Sequence, residues 1–457
     1  MSISMKKDFR LPKQVTQAIE KLNDAGFECF AVGGCVRDML RGAIPHDWDL
    51  TTNARPHQMQ QCFQGYHVIE TGLQHGTLTV MIDHMPLEIT TYRIDGDYTD
   101  HRRPDTVAFT DSLTDDLARR DFTVNAMAYH PQYGVVDPFG GSKDLQRRRI
   151  ACVGDPTARF DEDGLRILRA LRFASVLDFQ IDPATDAAIH TQQNLLKHIS
   201  AERIFTELTK LLCGQAAERL LCTYPNVIGT VLPQIQPMVG FDQQNPYHAY
   251  DVYTHSCKVT AAVPSLPVLR WAAFLHDTGK PHTFTKDERG GHFYGHSEVS
   301  ERLAKEMLRQ LKSDRKTMDN VLTLIRHHDT VFSDSPKQLK RLVNQIGMEL
   351  TEALLMLHKG DVSAQAIHLR EERMRDADHL MDMLRELKEQ NACMTIKDLQ
   401  ISGKDLLEMG MVTGKAVGEC LNYLLNEVVE EHLPNHRDIL LSAAQSYLQR
   451  KTEEDKP

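Results

Sequence analysis

The chain has 457 residues, 41% hydrophobic and 25% charged, with a formal net charge of −10. That length is too great for one ordinary core and predicts roughly two to four domains, while no apolar run is long enough to span a bilayer. The first residues, Met1 to Asp8, lack the apolar stretch of a secretory signal, and nine scattered cysteines without a CxxC pair predict reduced thiols in a cytoplasmic protein.

The acidic balance weighs mildly against nucleic-acid binding, because phosphate contacts need Lys and Arg. A binding face is a local patch, however, and Arg147, Arg148 and Arg149, followed by Arg159, Arg166, Arg169 and Arg172, supply one.

Residues 11 to 26 predict an amphipathic helix, with Val15, Ala18, Ile19 and Leu22 at helical spacing and Gly26 as its stop. Phe30, Ala31 and Val32 then form a short apolar strand that ends at Gly33 and Gly34. Two glycines let the backbone approach a bulky anion, and the first N–H groups of a helix starting near Val36 favour phosphate there. Arg37, a cation in the first turn, makes sense if it grips that anion. Asp47 and Asp49 follow on a second strand, where alternate residues point the same way. Two adjacent carboxylates repel unless a cation neutralises them, and oxygen ligands of this kind suit Mg²⁺.

Thr77 to Ile82 and Leu87 to Tyr92 read as paired strands joined by a turn over Asp83 to Pro86, with Glu88 on the return strand. Residues 93 to 112 are polar, without periodicity, and predict a lid-like loop. Between residues 117 and 129, Arg120, Asp121 and Asn125 stand among apolar neighbours. Such groups can hydrogen-bond ribose hydroxyls and hold phosphate. Asp137 to Gly141 reads as a turn closing the domain.

Residues 158 to 175 predict one helix with a buried side formed by Leu165, Leu168, Leu171 and Phe173. Asp163, Arg166, Arg169 and Arg172 recur every three residues, close to one face. Residues 200 to 213 predict another amphipathic helix, capped by Ser200. Histidines dominate the second half: His255, then His276-Asp277 closing an apolar helix from Leu269 to Leu275, then His292, His296, His327 and His328, with Asp361 later. Imidazole and carboxylate together suit several divalent metals.

The run Gly33-Gly34-Cys35-Val36-Arg37-Asp38, with Asp47-Trp48-Asp49 behind it, resembles the GGxVRDxLxG and DxD signature of the tRNA nucleotidyltransferase and poly(A) polymerase family. Residues 95–105 match its DGDYxDxRRPD loop, residues 119–126 its RRDFTxNA motif, residues 137–141 its DPFGG and residues 202–212 its ERIxxELxKLL element. Glu162-Asp163-Gly164-Leu165-Arg166 matches the EDxxR motif of the bacterial-type, or class II, enzymes. The resemblance implies an α+β head of polymerase-β-like fold, a small mixed sheet with helices, over residues 1–150. An all-α remainder would comprise a neck and body over 151–235, an HD-type helical domain over 236–375 and a tail over 376–457.

It also implies CCA addition: CMP, CMP and AMP moved from CTP and ATP to the 3′ hydroxyl of tRNA. Asp47, Asp49 and Glu88 would hold Mg²⁺ and act in catalysis. Gly33, Gly34 and Arg37 would seat the triphosphate, and Arg120, Asp121 and Asn125 the sugar and phosphates. Asp163 and Arg166 would read the base, and Arg169 and Arg172 would hold phosphates. Addition of A or CC alone, or poly(A) tailing, remains open within the family, although the loop wording favours full CCA addition. The order H…HD…D resembles the HD phosphohydrolases, which implies a divalent metal on His255, His276, Asp277 and Asp361, with His296 and His327 for a second metal or a phosphate. A membrane partner is not expected, and the oligomeric state is left open.

Overall fold

The computed structural model describes residues 9–73, 76–96, 107–288, 290–411 and 414–454. The chain divides into two compact units, 1–236 and 237–457.

The first unit opens with helix α1 (Lys13–Asp24), whose Val15, Ala18, Ile19 and Leu22 are buried as their spacing requires. Truncating Leu22 to Ala would cost roughly 2–5 kcal/mol. Strand β1 (Cys29–Val32) is buried along its whole length. Its alternate side chains feed two cores, Cys29 and Ala31 packing with α1, Phe30 and Val32 with Tyr92, Leu117 and Ala128 on the opposite face. Helix α2 (Gly34–Leu40) leads to β2 (Asp49–Thr52), α3 (Pro56–Cys62), β3 (His67–Ile69), β4 (Thr77–Ile82) and β5 (Met85–Thr91). Later come β6 (Arg93–Asp95), β7 (Val107–Phe109), α4 (Leu113–Ala118), β8 (Ala128–His130), β9 (Gly134–Val136) and α5 (Gly141–Gln146). The main sheet has seven strands in the order β3-β4-β5-β2-β1-β8-β9, and only β2 and β5 run parallel, so it is mixed.

Three local expectations need correction. Helix α2 starts at Gly34, two residues before Val36. Asp47 precedes β2 rather than lying in it, although buried Trp48 still separates two exposed acids, so the alternation survives outside the ladder. The β4–β5 turn is confined to Asp83 and His84, both at positive φ, and Met85 and Pro86 already pair in the hairpin. Of the segment expected to be a lid, residues 97–106 lie outside the described residues. Its flanks are ordered as the β6–β7 pair.

Beyond the head, the two-residue strand β10 (Arg149–Ile150) pairs in parallel with β11 (Gln180–Ile181). The expected continuous helix over 158–175 is two helices, α6 (Pro156–Glu162) and α7 (Leu165–Leu177), broken at Asp163, whose backbone is extended. The Asp163 carboxylate accepts from the Leu165 N–H at 3.1 Å and starts the new helix. Helices α8 (Pro183–Gln192), α9 (Ala201–Leu212), α10 (Ala217–Thr223) and α11 (Pro225–Val231) finish the unit.

The second unit is helical: α12 (Val252–Ala262), α13 (Pro267–Leu275), α14 (Lys280–Thr283), a hairpin of β12 (Thr285–Asp287) and β13 (Gly290–His292), α15 (His296–Gln310), α16 (Arg315–His327), α17 (Pro336–Ile346), α18 (Met348–Ser363) and α19 (Ile367–Glu389). Helices α20 (Gly403–Glu408), α21 (Gly414–Val429) and α22 (Arg437–Glu454) follow, with a core of their own around Leu406, Leu424 and Leu440. Among the described residues no helix is long and apolar enough to cross a membrane.

Candidate functional site

The site begins where β1 stops. Gly33 caps α2 at φ 82° and ψ −129°, a conformation that side chains oppose, and its N–H donates to Met127 O at 3.1 Å. A Cβ here would lie 3.1 Å from Arg120 Nη1, so the guanidinium would have to give by a few tenths of an ångström, on top of the positive φ that disfavours any side chain.

Arg37 projects from α2 and donates through Nη1 to Asn125 Oδ1 at 2.7 Å, while its Nε and Nη2 hold Asp38 at 2.9 Å each. Asn125 Nδ2 donates to Asp121 Oδ1 at 3.1 Å, and Arg169 Nε donates to Asp121 Oδ2 at 2.8 Å. Burial alone would raise the Asp121 carboxyl, but Arg169 and the Asn125 amide hold it down at about 2. Asp121 also accepts from the Phe122 N–H at 2.8 Å, so its own partners occupy most of its capacity. Beneath this chain lies a fully buried acid, Asp116, that no motif singles out. Asp116 accepts from Arg119 at 2.7 Å, Arg120 at 3.3 Å and Thr51 at 3.2 Å, and so ties β2 to two site arginines.

Asp49 and Glu88 are register partners on the parallel strands β2 and β5. Asp49 reaches solvent, yet the protein atoms crowded around it raise its carboxyl above the usual carboxylate range. Arg120 opposes that rise, and Glu88 and Asp47 add to it. A cation among the three acids would relieve this repulsion.

A cavity of about 330 Å³ joins these pieces. Gly33, Gly34, Arg37 and Asp49 line it from the sheet side, and Arg120, Asp121 and Asn125 from the following motif. Asp163, Arg166 and Arg169 close it from α7 and the break before it. Asp47, Glu88 and Arg172 were expected in the site but do not line this cavity. Arg172 Nε instead pairs with Glu207 at 3.1 Å, and its guanidinium lies 3.9 Å from the Phe173 ring. Burial, only partly offset by Glu207, pushes Arg172 down to about 10.

Arg119, Phe173 and Arg203 line the cavity unanticipated. Six arginines (37, 119, 120, 166, 169 and 203) thus face three carboxylates (49, 121 and 163), a strongly cationic pocket in an acidic protein. Arg166 does not pair with Asp163, three residues before it. It binds Glu162 and donates to Arg159 O at 3.0 Å and Arg119 O at 2.9 Å, while Asp163 Oδ2 accepts from Arg203 at 2.7 Å.

In the second unit, four expected ligands converge. His255 Nε2 lies 2.8 Å from Asp361 Oδ1 and 3.6 Å from Asp277 Oδ2. His276 Nε2 lies 3.3 Å from Asp277 Oδ2 and 3.7 Å from Asp361 Oδ1. Burial works against a proton on His276, but Asp277 and Asp361 hold it up at about 10. His276 Nε2 is buried and makes no aligned hydrogen bond, as a metal-ligand atom would not, whereas Asp277 Oδ2 is ion-paired with Lys280 Nζ at 2.6 Å. One expectation is corrected: His328, rather than His327, joins His296 beside Asp277, because α16 ends at His327 and the next ring turns inward.

Three family models match parts of the chain: the Poly A polymerase head domain over residues 29–151, the Probable RNA and SrmB-binding site of polymerase A over 178–224, and tRNA nucleotidyltransferase domain 2 putative over 292–444. A CCA-adding enzyme of Lactococcus lactis subsp. cremoris is 46% identical over 211 residues, and there the match spans 45% of this chain and about half, 52%, of the relative's length. The CCA-adding enzyme of Levilactobacillus brevis is 32% identical over 444 residues, 96% of this chain and 98% of that protein. The crystal structure of Bacillus stearothermophilus CCA-adding enzyme in complex with CTP superposes with a TM-score of 0.70 at 26% identity, covering 98% of this chain and 100% of that one. The Thermotoga maritima CCA-adding enzyme complexed with tRNA, at 19% identity and a TM-score of 0.55 over 94% of each chain, shares the fold. With likeness carried end to end, and with the glycine turn, the acids and the EDxxR residues gathered in its first unit, the chain belongs to the CCA-adding enzyme family.

Proposed function

We propose that the chain is a template-independent tRNA nucleotidyltransferase that transfers CMP, CMP and AMP from CTP and ATP to the tRNA 3′ hydroxyl. The observation that carries this reading is the single cavity shared by the Gly33 turn, Asp49, Asp163 and Arg166. Gly33, Gly34 and Arg37 seat the triphosphate, helped by Arg120 and the Arg119 guanidinium. Asn125 faces the sugar, and Asp121 positions Asn125 and Arg169 through the bonds that occupy it.

Asp163 accepts from the exocyclic amine common to cytosine and adenine, and Arg166, held by Glu162 and two carbonyls, donates to the ring. Uracil and guanine would set a carbonyl against the carboxylate and are rejected. Asp47, Asp49 and Glu88 fit Mg²⁺, because their mutual repulsion is what a hard cation removes. When bound, such an ion supplies charge neutralisation at the reacting phosphate and activation of the attacking hydroxyl. We place the protein in the cytoplasm, where its nine cysteines stay reduced.

The test offers purified protein a tRNA ending at its discriminator base, with Mg²⁺ and CTP or ATP, separately and together. Two added nucleotides with CTP alone and a third only with both establish the reading. Long tails with ATP alone replace it with poly(A) polymerase activity. Addition of A only to a tRNA already ending in CC replaces it with an A-adding enzyme.

The convergence of His255, His276, Asp277 and Asp361 favours a second reading alongside the first, a metal-dependent phosphohydrolase in the second unit. Phosphate release from RNA ending in a 3′-phosphate or 2′,3′-cyclic phosphate, lost in Asp361→Ala, would establish it. No release with any first-row divalent ion would exclude it for these ends.

A further inference from the structure

We propose that Asp116 is a positioning residue that holds the triphosphate arginines, the strand carrying Asp49 and the base-reading Arg166 in one register. The proposal deepens the nucleotidyltransferase reading and rests on it.

Asp116 belongs to α4 and is fully buried. Functional elements engage both of its oxygens. Oδ1 accepts from Arg119 Nε at 3.0 Å and Nη2 at 2.7 Å, and from the Arg93 N–H of β6 at 3.4 Å. Oδ2 accepts from Arg120 Nη2 at 3.3 Å and from Thr51 Oγ1 at 3.2 Å. Burial alone would raise this carboxyl, but Arg119 and Arg120 hold it below the usual carboxylate range.

The bonds lead to different parts of the cavity. Thr51 stands two residues beyond Asp49 on β2, so the two side chains share a face. Its hydroxyl also reaches Thr90 O at 3.2 Å, on the strand β5 that carries Glu88. Arg120 turns its other terminal nitrogen to the glycine turn, since Nη1 is the atom that a Cβ on Gly33 would meet. The link to the base reader runs through the main chain of Arg119. A helix ends in carbonyls that have no partner inside it, and at the end of α4 two arginines take them. Arg159 Nη1 donates to Ala118 O at 3.0 Å, and Arg166 Nη2 donates to Arg119 O at 2.9 Å. Glu162 pairs with both arginines and closes the frame.

A carboxylate only accepts, and its donors approach along fixed lone-pair directions. One rigid group therefore sets the separation between the guanidinium groups that grip the triphosphate and the one that meets the base. A nucleotide spans the same two places, so an error in that separation costs binding at one end or reading at the other. A buried ion pair adds little to a fold that apolar side chains of equal volume would not. It does fix cations where a ligand needs them. Asp116→Asn keeps the shape but sets an N–H group against donors, so triphosphate grip and base choice should fail together.

The test compares wild type with Asp116→Asn in single-turnover addition to a tRNA ending at its discriminator base, with CTP, UTP and tRNA titrated separately in Mg²⁺. The expected result is a rise of about tenfold in KM for CTP and a fall of about tenfold in the preference for CTP over UTP, with KM for tRNA unchanged. Leu22→Ala, a truncation in the core under α1, controls for lost stability and should leave both quantities at wild-type values. A loss in kcat alone, a change in one quantity without the other, or the same changes in Leu22→Ala overturns the proposal. If Asp116→Asn fails to fold by circular dichroism, the isosteric Thr51→Val decides, because it removes one donor to Oδ2. It should move both quantities the same way by about threefold, and unchanged values overturn the proposal. Wild type that adds no CMP, or takes UTP as readily as CTP, overturns the underlying reading and the proposal with it. Selective wild type beside an unaffected Asp116→Asn overturns the proposal alone.

Discussion

Asp121 is a buried acid whose charge is held by Arg169 and Asn125, so its worth depends on pH. Its folded pKa, about 2, lies below the ordinary carboxylate value. The stabilisation is therefore fully present above about pH 4 and is lost as pH falls toward 2, an effect of roughly 2 kcal/mol. Asp121→Asn should flatten the acid limb of the urea-unfolding stability. Equal losses in variant and wild type between pH 7 and pH 3 would refute this. Under the proposed function Asp163 acts on nucleotide choice. Asp163→Ala should reduce discrimination against UTP and GTP by roughly 10- to 100-fold, the worth of a hydrogen bond to a charged group, read by single-turnover incorporation. Selectivity that stays intact would remove Asp163 from base reading. The sequence brought these residues to attention because each lies in a contiguous motif. Arg203 stands in the ERIxxELxKLL element, but its contact with Asp163, 40 positions away, was not foreseen, because nothing in local spacing encodes which distant side chain completes a pair. His327 and His328 were likewise inseparable until the end of α16 decided which ring turns inward.

At the scale of elements, the glycine turn and the break between α6 and α7 do the positioning. Gly33→Ala would force a side chain into a backbone region that costs about 1–3 kcal/mol and press on Arg120. Transfer should fall at least about tenfold while the rise in KM for CTP exceeds that for tRNA. Unchanged kinetics would show that the turn tolerates a Cβ. Period-3.6 hydrophobicity correctly gave α1, α7 and α9, since their apolar faces meet a core. It overran the break at Asp163, because Phe160 and Leu165 stay buried on either side of a kink made by a single extended residue. The β-hairpin was found, but its turn was drawn too wide, since Asp83 and His84 carry the positive φ that glycine or asparagine usually signals.

The whole molecule has two units with separate cores, and ligands assigned to different units. Calorimetry should show two transitions, CTP raising one and Mn²⁺ the other, each by about 5–10 °C at a hundredfold excess over Kd. One transition that both ligands shift together would contradict independent stabilities. Net charge misled at this scale. A chain of −10 still concentrates six arginines on one cavity, and under the proposed function that local field is what an RNA end and a triphosphate would meet.

The interruption at Asp163 has a consequence for redesign. Arg166 is clamped by Glu162 and two carbonyls, whereas Asp163 hangs on its own extended link between helices. On the proposed reading, the two halves of the reader share the helix start, because the Asp163 carboxylate accepts from the Leu165 N–H and its main-chain carbonyl from the Arg166 N–H. The changes at position 163 that keep Arg166 in place are therefore those that keep a capping side chain such as Asn or Ser. A library varied at that position and its partner Arg203, with Glu162 and Arg159 kept, is the short path to an enzyme that writes a different RNA end.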